Sequence, residues 1–590
     1  MPRIFIDGKE IEAAQGQTVI EAAYANGIQI THFCWHPELT ISGNCRMCLV
    51  EVGMPKRLPD GNYQNDESGN PVISYFPKLQ IACATVVSEG MHIRTKTDSV
   101  VHAQEAVMEF FLINHPLDCP ICDEAGQCKL QEYAYCHSRG ESRFEDEKVH
   151  APKMQSWGPT IMFDAERCIK CSRCIRFAQE IAGQDVLTFV NRGDHVKIEL
   201  FPGKQFDNPY SMNVIDICPV GALTSKDFRF KSRVWDMSFN DSICPGCARG
   251  CNIKIGVRNN EILRIEPRSN PGVNKYWMCD YGRLNTYKNV NDNRITSPMI
   301  RWKDGLIQCS WDEAVSKAAD LMKKYKPDEI MVLGASRATN EGNYILSKFA
   351  REILKTDNID LISDIDDSFG DDFLKVSDKK PNYKGAFEVG IVPGDSGVSM
   401  NNLAENMRFK NIKVLYVMTD LLISHRPLLD ELDDLELLIV HAQNNTYLTE
   451  KADIIFASST FAEVEGTFVN IDKRVQHFGP ALITAENLRH MGMKMSRLDK
   501  FGAPNDRWTQ HDLRECLPNW KILMLLAEQF GVKWEYKKAN DIFREISANI
   551  ESFKGMTYEL LDEYQGIVLG KADTPAPKIN KYVSYVMKPN

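Results

Sequence analysis

The sequence predicts a multidomain chain of mixed α/β and α+β class, and three observations carry that expectation. Its 590 residues suffice for about four domains of ordinary size. Fifteen cysteines and one histidine, His115, fall into four groups between Cys34 and Cys279, each spaced like a separate small site. Beyond the fourth group, apolar runs of strand length alternate with helical stretches, as in a parallel sheet covered on both faces.

Composition narrows the class further. With 43% apolar and 25% charged residues the chain reads as soluble and globular, and no run approaches the ~18 apolar residues that a membrane span needs. The formal charge of -10 counts against a nucleic-acid partner, because neutralising phosphates takes a basic face. The opening MPRIFIDGKE has neither the apolar core of a signal peptide nor the Arg- and Ser-rich character of a transit peptide, which predicts a cytoplasmic protein of bacterial type. Eighteen cysteines in a reducing compartment, many in CxxC spacing, predict metal ligation rather than disulfides.

The first domain is expected over residues 1–97. Arg3 to Asp7 alternates like a strand, Asp7-Gly8 is a hairpin turn signal, and Lys9 to Ala13 continues as the partner strand. Thr18 and Glu21 form a capping box for a helix from Val19 to Ala25, and Gly27 supplies its left-handed stop. The chain then reaches Cys34, Cys45, Cys48 and Cys83, spaced C-x10-C-x2-C-x34-C. Gly43 suits a loop that wraps its backbone around a cluster and aims amide N–H groups at sulfide. The order strand, strand, helix, cysteines is similar to the β-grasp 2Fe-2S ferredoxins with a long first gap, although four cysteines also suit tetrahedral zinc.

Residues 98–138 are expected to form a second site. Val101, Val107, Met108, Phe111 and Leu112 fall on one face of a predicted helix from Asp98 to Ile113, which delivers His115 to its exit before Pro116. His115, Cys119, Cys122 and Cys128 follow as H-x3-C-x2-C-x5-C, with Cys136 the nearby rival for the fourth place. A neutral imidazole in place of a thiolate makes a 4Fe-4S site one unit less negative, and a zinc site of three thiolates and one imidazole is the competing structure.

Residues 139–236 carry Cys168, Cys171 and Cys174 as C-x2-C-x2-C, with Cys218-Pro219 far downstream. This is the ligand pattern of a bacterial ferredoxin, in which each triple is followed by its own Cys-Pro. The partner positions of a second cluster fall at Ala178-Gln179 and at Asn208, Ser211 and Val214, so one 4Fe-4S set is complete and the other absent as a whole. Lys170, Arg173 and Arg176 beside the ligands read either as offsets to cluster charge or as solvated basic residues.

The last set, Cys244, Cys247, Cys251 and Cys279, lies in residues 237–293 around a hairpin signal at Asn259-Asn260. C-x2-C-x3-C-x27-C resembles the small 4Fe-4S domain of molybdopterin oxidoreductases, and the stretches from Ser336 and Ala452 resemble that family's large domain. Residues 294–590 are therefore expected to be a degenerate α/β domain of that type, without molybdenum. Tyr281 stands where the family commonly has a basic residue. LISDIDDSFG, from Leu361, replaces the stretch with a molybdenum-binding cysteine, leaving Ser363 and Ser368 as weak candidates. Glu465-Gly466-Thr467 and Asn470 keep the family spelling and are expected to serve the fold. EIMVLGAS, NIKVLYVMTD and LELLIVHAQ read as buried parallel strands, and no G-x-G-x-x-G or P-loop follows them. Beyond Gly570, a Pro- and Lys-rich tail with Pro575 and Pro577 reads as a docking segment or plain disorder.

The order of these sites resembles the large iron-sulfur subunit of respiratory complex I, NADH:quinone oxidoreductase. That resemblance implies one 2Fe-2S cluster and three 4Fe-4S clusters, with no FMN, NAD or molybdopterin bound by this chain. It implies electron transfer from an FMN-containing, NADH-oxidising flavoprotein subunit toward quinone, with the cluster of Cys244 off the main path and stabilising. Implied partners are that flavoprotein, a thioredoxin-like 2Fe-2S subunit and quinone-side peripheral-arm subunits. Membrane contact would be made only through other subunits, at the cytoplasmic face of a bacterial inner membrane. Two other readings remain: the iron-sulfur subunit of a soluble NAD-linked hydrogenase or formate dehydrogenase, and a zinc-stapled scaffold. Cys136, Cys309 and Cys516 default to small buried hydrophobes.

Overall fold

Arg3–Ile6 (β1) and Lys9–Glu12 (β2) pair antiparallel about Asp7 and Gly8, both in the left-handed region at φ 48 and 83. The computed structural model describes residues 1–59, 62–303, 305–361, 366–419, 426–487 and 514–574. It divides into a first unit, Met1–Trp235, and a second that begins at Asp236. Among the described residues no helix is long and apolar enough to cross a membrane.

In the first unit, Leu49–Pro55 (β3), Ile73–Tyr75 (β4), Gln80–Ile81 (β5) and Met91–Arg94 (β6) complete a mixed sheet. Its order is β2-β1-β6-β3-β4, with β6 parallel to β1 and β5 paired to β3. Helix α1 (Val19–Ala25) carries the expected capping box and buries Val19, Ile20, Ala22 and Ala23 against the sheet, in a core that also contains Cys48 and Cys83. Helix α2 spans Asp98–Ile113 as expected, capped by the Thr97 side chain. Its fully buried stripe is Val100, Gln104 and Met108, whereas Val101 is 38% exposed. The polar Gln104 hid this stripe from a reading of apolar residues, and its amide is satisfied by donating to Thr31 Oγ1 at 3.1 Å. Helix α3 covers Lys129–His137, α4 Arg173–Glu180 and α5 Asn213–Ile217, alongside small sheets from Gln155–Ser156, Ile161–Phe163 and Leu223–Ser225 and from Leu187–Val190 and Lys197–Leu200.

The second unit opens with a three-stranded antiparallel sheet, Ser238–Ile243, Asn252–Arg258 and Glu261–Pro267. The hairpin turns at Asn259 and Asn260, φ 53 and 57, and the third strand, over 238–243, extends the expected pair. Behind it stands a seven-stranded sheet. Ile454–Ala457, Leu437–Ala442, Val414–Val417, Ile330–Gly334 and Ile359–Leu361 run parallel in that spatial order, and an antiparallel hairpin, Met299–Trp302 with Gly305–Gln308, closes one edge. Alternate residues feed two cores: Ile330, Val332 and Ile439 face one, and Met331, Leu333 and Leu438 the other. Burial on both faces explains why these strands read as unbroken apolar runs.

A last sheet joins Gly466–Val469, Arg474–Phe478 and Ile567–Val568. His477 of its middle strand stacks on Tyr558 with ring centroids 3.9 Å apart, and pairs Nδ1 with Asp562 at 2.8 Å and Nε2 with Glu465 at 3.7 Å. Burial opposes the charged imidazole, but the two carboxylates outweigh it and hold the pKa up to about 9. A histidine raised in the folded state adds stability that is complete below its unfolded value of about 6.5 and is lost as pH rises to 9. Urea midpoints of the full chain should therefore fall across that window and fall less in His477→Gln; parallel curves would refute the linkage.

Candidate metal centres

Each cysteine set lies on a loop held by regular structure. In the first, Cys48 immediately precedes the strand β3 and Cys83 follows β5, so the sheet fixes both, while α1 leads toward Cys34. All four thiols are buried. Hydrogen bonding from Cys45, with the N–H groups of Cys45 and Asn44 and the Arg176 charge, outweighs desolvation and draws the Cys34 thiol down to about 5. Gly43 is left-handed at φ 63 and turns these amides toward sulfur, as its position in the sequence suggested.

In the second set His115 leaves the end of α2 half-buried, Cys122 and Cys128 are 9% exposed, and Cys119 is exposed. Burial, with the Arg167 and Lys148 charges, pushes the His115 pKa down to about 4, which keeps the imidazole in the neutral form that ligates metal. Lys148 donates to the carbonyl oxygens of Leu112 and Ile113 at the end of α2, and Arg233 donates to that of Cys122 at 2.6 Å. The rival Cys136 is exposed on α3.

The third set lines a small cavity formed by Cys168, Cys171, Cys174 and Cys218 with Phe163, Ile198 and Leu223. Lys170 and Ser172 alternate with the cysteines in left-handed conformation, φ 55 and 62, and the Lys170 N–H reaches Cys168 Sγ at 3.4 Å. Such alternation aims successive amides into one concavity, a cradle for negative charge. The sequence left open whether Arg173 and Arg176 are solvated, and they are not: they are 1% and 8% exposed.

The second and third sets share a wall. The Pro219 carbonyl oxygen accepts from Lys129 N–H at 3.0 Å and lies 3.9 Å from Cys128 Sγ. Gly221 packs so closely that a Cβ there would stand 2.1 Å from Cys122 Sγ. No sequence motif marked Gly221 except its place after the Cys-Pro, and Arg167, which pairs with Asp118 at 2.8 Å beside His115, was likewise passed over.

The fourth set belongs to the second unit, and all of its thiols are buried. Cys279 Sγ caps the short helix α6 (Asp280–Leu284), accepting from Gly282 N–H at 3.3 Å. Gly246 and Gly282 bring backbone so close that added Cβ atoms would lie 3.4 and 3.0 Å from Cys244 Sγ. The loop from Cys244 to Cys251 is tied into the large domain by Ala248 N–H to the Asp378 carbonyl, Ile471 N–H to that of Ala248, and Gln476 to that of Gly250. Tyr281 stacks edge-on against Phe369 with Lys379 over both rings. Thr467 donates twice to the buried Glu341, and Asn470 Oδ1 accepts from Asp472 and Arg474 N–H groups, so these family-spelled residues are bound into the fold. Ser363, Pro575 and Pro577 lie outside the described residues, and Ser368 is exposed and bonded to Asp366.

These surroundings suit bound polynuclear iron. Burial foremost pushes the thiols of Cys122 and Cys128 and of the third and fourth sets up, so that ionised sulfur there needs a cationic group among them.

Comparison with known proteins follows the same division. Residues 2–98 match the 2Fe-2S iron-sulfur cluster binding domain, 104–143 the NADH-ubiquinone oxidoreductase-G iron-sulfur binding region, and 158–224 the ferredoxin-like domain of NADH-quinone oxidoreductase subunit 3. Residues 237–291 match the molybdopterin oxidoreductase Fe4S4 domain, and 294–383 and 374–491 match molybdopterin oxidoreductase. The chain is 40% identical over 353 residues to the NADH-quinone oxidoreductase subunit named G in Rickettsia conorii, covering 60% of this chain and 49% of that one. It is 37% identical over 375 residues to subunit 3 of Thermus thermophilus, covering 61% and 47%. To the mitochondrial NADH dehydrogenase [ubiquinone] iron-sulfur protein 1 of Solanum tuberosum it is 40% identical over 329 residues, covering 56% and 42%. The chain spans about half the length of the curated relatives it matches.

Proposed function

We propose that this chain, a homologue of the iron-sulfur subunits named G and 3 in NADH-quinone oxidoreductases, conducts electrons within such a complex from NADH-derived flavin toward quinone. Cys34, Cys45, Cys48 and Cys83 would hold a 2Fe-2S cluster. Three 4Fe-4S clusters would be held by His115, Cys119, Cys122 and Cys128, by Cys168, Cys171, Cys174 and Cys218, and by Cys244, Cys247, Cys251 and Cys279. When bound, these groups supply one-electron acceptance and donation; the protein supplies ligands, low dielectric and spacing.

The observation that carries the reading is a chain of contacts joining three ligand sets. Arg176 touches the carbonyl oxygens of both Cys34 and Cys171, linking the first set to the third, and Pro219 and Gly221 link the third to the second. The buried first set and the exposed Cys119 of the second stand at the two ends of this line. A flavoprotein subunit and a thioredoxin-like 2Fe-2S subunit would meet the first end and quinone-side subunits the second, at the cytoplasmic face of a bacterial inner membrane. The fourth set, tied by main-chain bonds into the large domain, would stabilise that domain, which on this reading would carry no molybdopterin.

Metal analysis tests the assignment. The purified full chain should contain about fourteen iron atoms and matching sulfide, and Cys251→Ser should remove about four of them while leaving the 2Fe-2S signal unchanged. A colourless chain with zinc in place of iron would refute electron transfer, and stoichiometric molybdenum would favour an enzyme.

A further inference from the structure

Buried cations stand between the first and third ligand sets. Arg173 and Arg176 project from the start of α4, and five of their hydrogen bonds end on main-chain oxygens. Arg173 donates to Trp35 at 2.6 Å and Ile217 at 2.9 Å; Arg176 donates to Cys34 at 2.6 Å, to Cys171 at 3.4 Å and to Thr40. Cys34 and Cys171 are ligand positions, and Trp35 and Ile217 adjoin the ligands Cys34 and Cys218.

Holding two loops together does not require a cation. Neutral pairs already do so here: Asn44 donates to the Lys170 carbonyl at 3.0 Å, and Ser172 donates to Ser42 at 3.1 Å. A guanidinium stays charged in proteins, and burying that charge is costly unless negative charge is close by; the Glu180 carboxylate supplies part of it to Arg176. Four thiolates make an iron-sulfur cluster net negative, and reduction adds another negative charge. Arg173 and Arg176 lie where a cluster on either side would feel them through protein rather than water.

We propose that Arg173 and Arg176 form a shared electrostatic bridge that raises the reduction potentials of the first and third clusters together. They are positioning residues, and the inference rests on iron-sulfur occupancy of both sets. Because one pair of charges serves both clusters, it stabilises the reduced form on either side and leaves the difference between their potentials little changed.

The test uses the full chain with its clusters in place, titrated redox-potentiometrically with EPR detection. The third cluster's signal is assigned by its loss in Cys171→Ser. Arg176→Gln keeps donors for the carbonyls and removes the charge; at fixed ambient potential the oxidised-to-reduced ratio of both clusters should rise about tenfold, equivalent to about 59 mV for one electron. Arg176→Lys, which restores the charge, should recover most of that shift. Arg173→Gln should move the same two signals in the same direction, and Arg192→Met, which removes an exposed arginine of the same unit, should move neither by more than about twofold. Full iron content with both ratios within about twofold of wild type in Arg176→Gln and Arg173→Gln would overturn the bridge, as would Arg176→Lys matching Arg176→Gln. Absence of iron from the wild-type chain would instead overturn the function proposed above.

Discussion

Gly221→Ala is expected to empty the second ligand set. The new Cβ would sit 2.1 Å from Cys122 Sγ and 2.9 Å from Glu124 Cβ, closer than any real contact. A surface side chain could swing aside, but the buried Cys122 is held by Arg233 on its carbonyl. Overpacking of this kind costs about 1–3 kcal/mol, and the displaced sulfur would no longer reach the proposed cluster. Iron should fall by about four atoms per chain while the 2Fe-2S signal persists. Gly305→Ala is the control, since a Cβ there meets nothing within 4 Å, and it should keep all of its iron. Unchanged iron in Gly221→Ala would show that the shared wall yields.

Glu463→Gln should be the most destabilising single change in the second unit. The carboxylate is fully buried between Arg294 at 2.8 Å and Arg514 at 2.6 Å, and it also accepts from the N–H and hydroxyl of Thr460. Desolvation alone would raise its pKa, but the two guanidinium groups overcome that and hold it below the usual carboxylate range. Neutralising it leaves two largely buried cations without their counter-ion, a loss of about 3–5 kcal/mol. Thermal unfolding of the second unit should then begin at least about 6 °C lower. A shift under about 2 °C would mean that water reaches the site and screens the pair.

What the sequence disclosed and what it concealed follow from the range of the interactions involved. The Thr18–Glu21 capping box, the Asp7-Gly8 and Asn259-Asn260 turns and the parallel strands were legible because each is decided within a few neighbouring residues. The grouping of the cysteines was visible in the sequence because ligand chemistry would demand particular side chains at short spacing, and the structure buries most of them. The burial of Arg176 was not, because it is set by oxygens of residues 34 and 40, far away along the chain. Gly221 was missed for the same reason: its requirement comes from Cys122, on another loop. Similarity to molybdopterin oxidoreductases marked Glu465-Gly466-Thr467 as a family signature, and only Glu341 and Tyr558 reveal what Thr467 now serves.

The closing strand of the second unit bears on when that unit can exist at all. Val568 pairs with Arg474, Gln565 accepts from Asn270, and Tyr558 donates to Glu341, so segments lying before residue 480 take their bonds from residues beyond 557. A ribosome that has delivered Trp235 has released every proposed ligand of the first unit, so iron-sulfur loading there would begin while several hundred residues are still to be made. The second unit must wait for its own far end. If the proposed clusters are loaded, maturation would be staggered in time, with the three sites of the first unit complete long before the fourth could close.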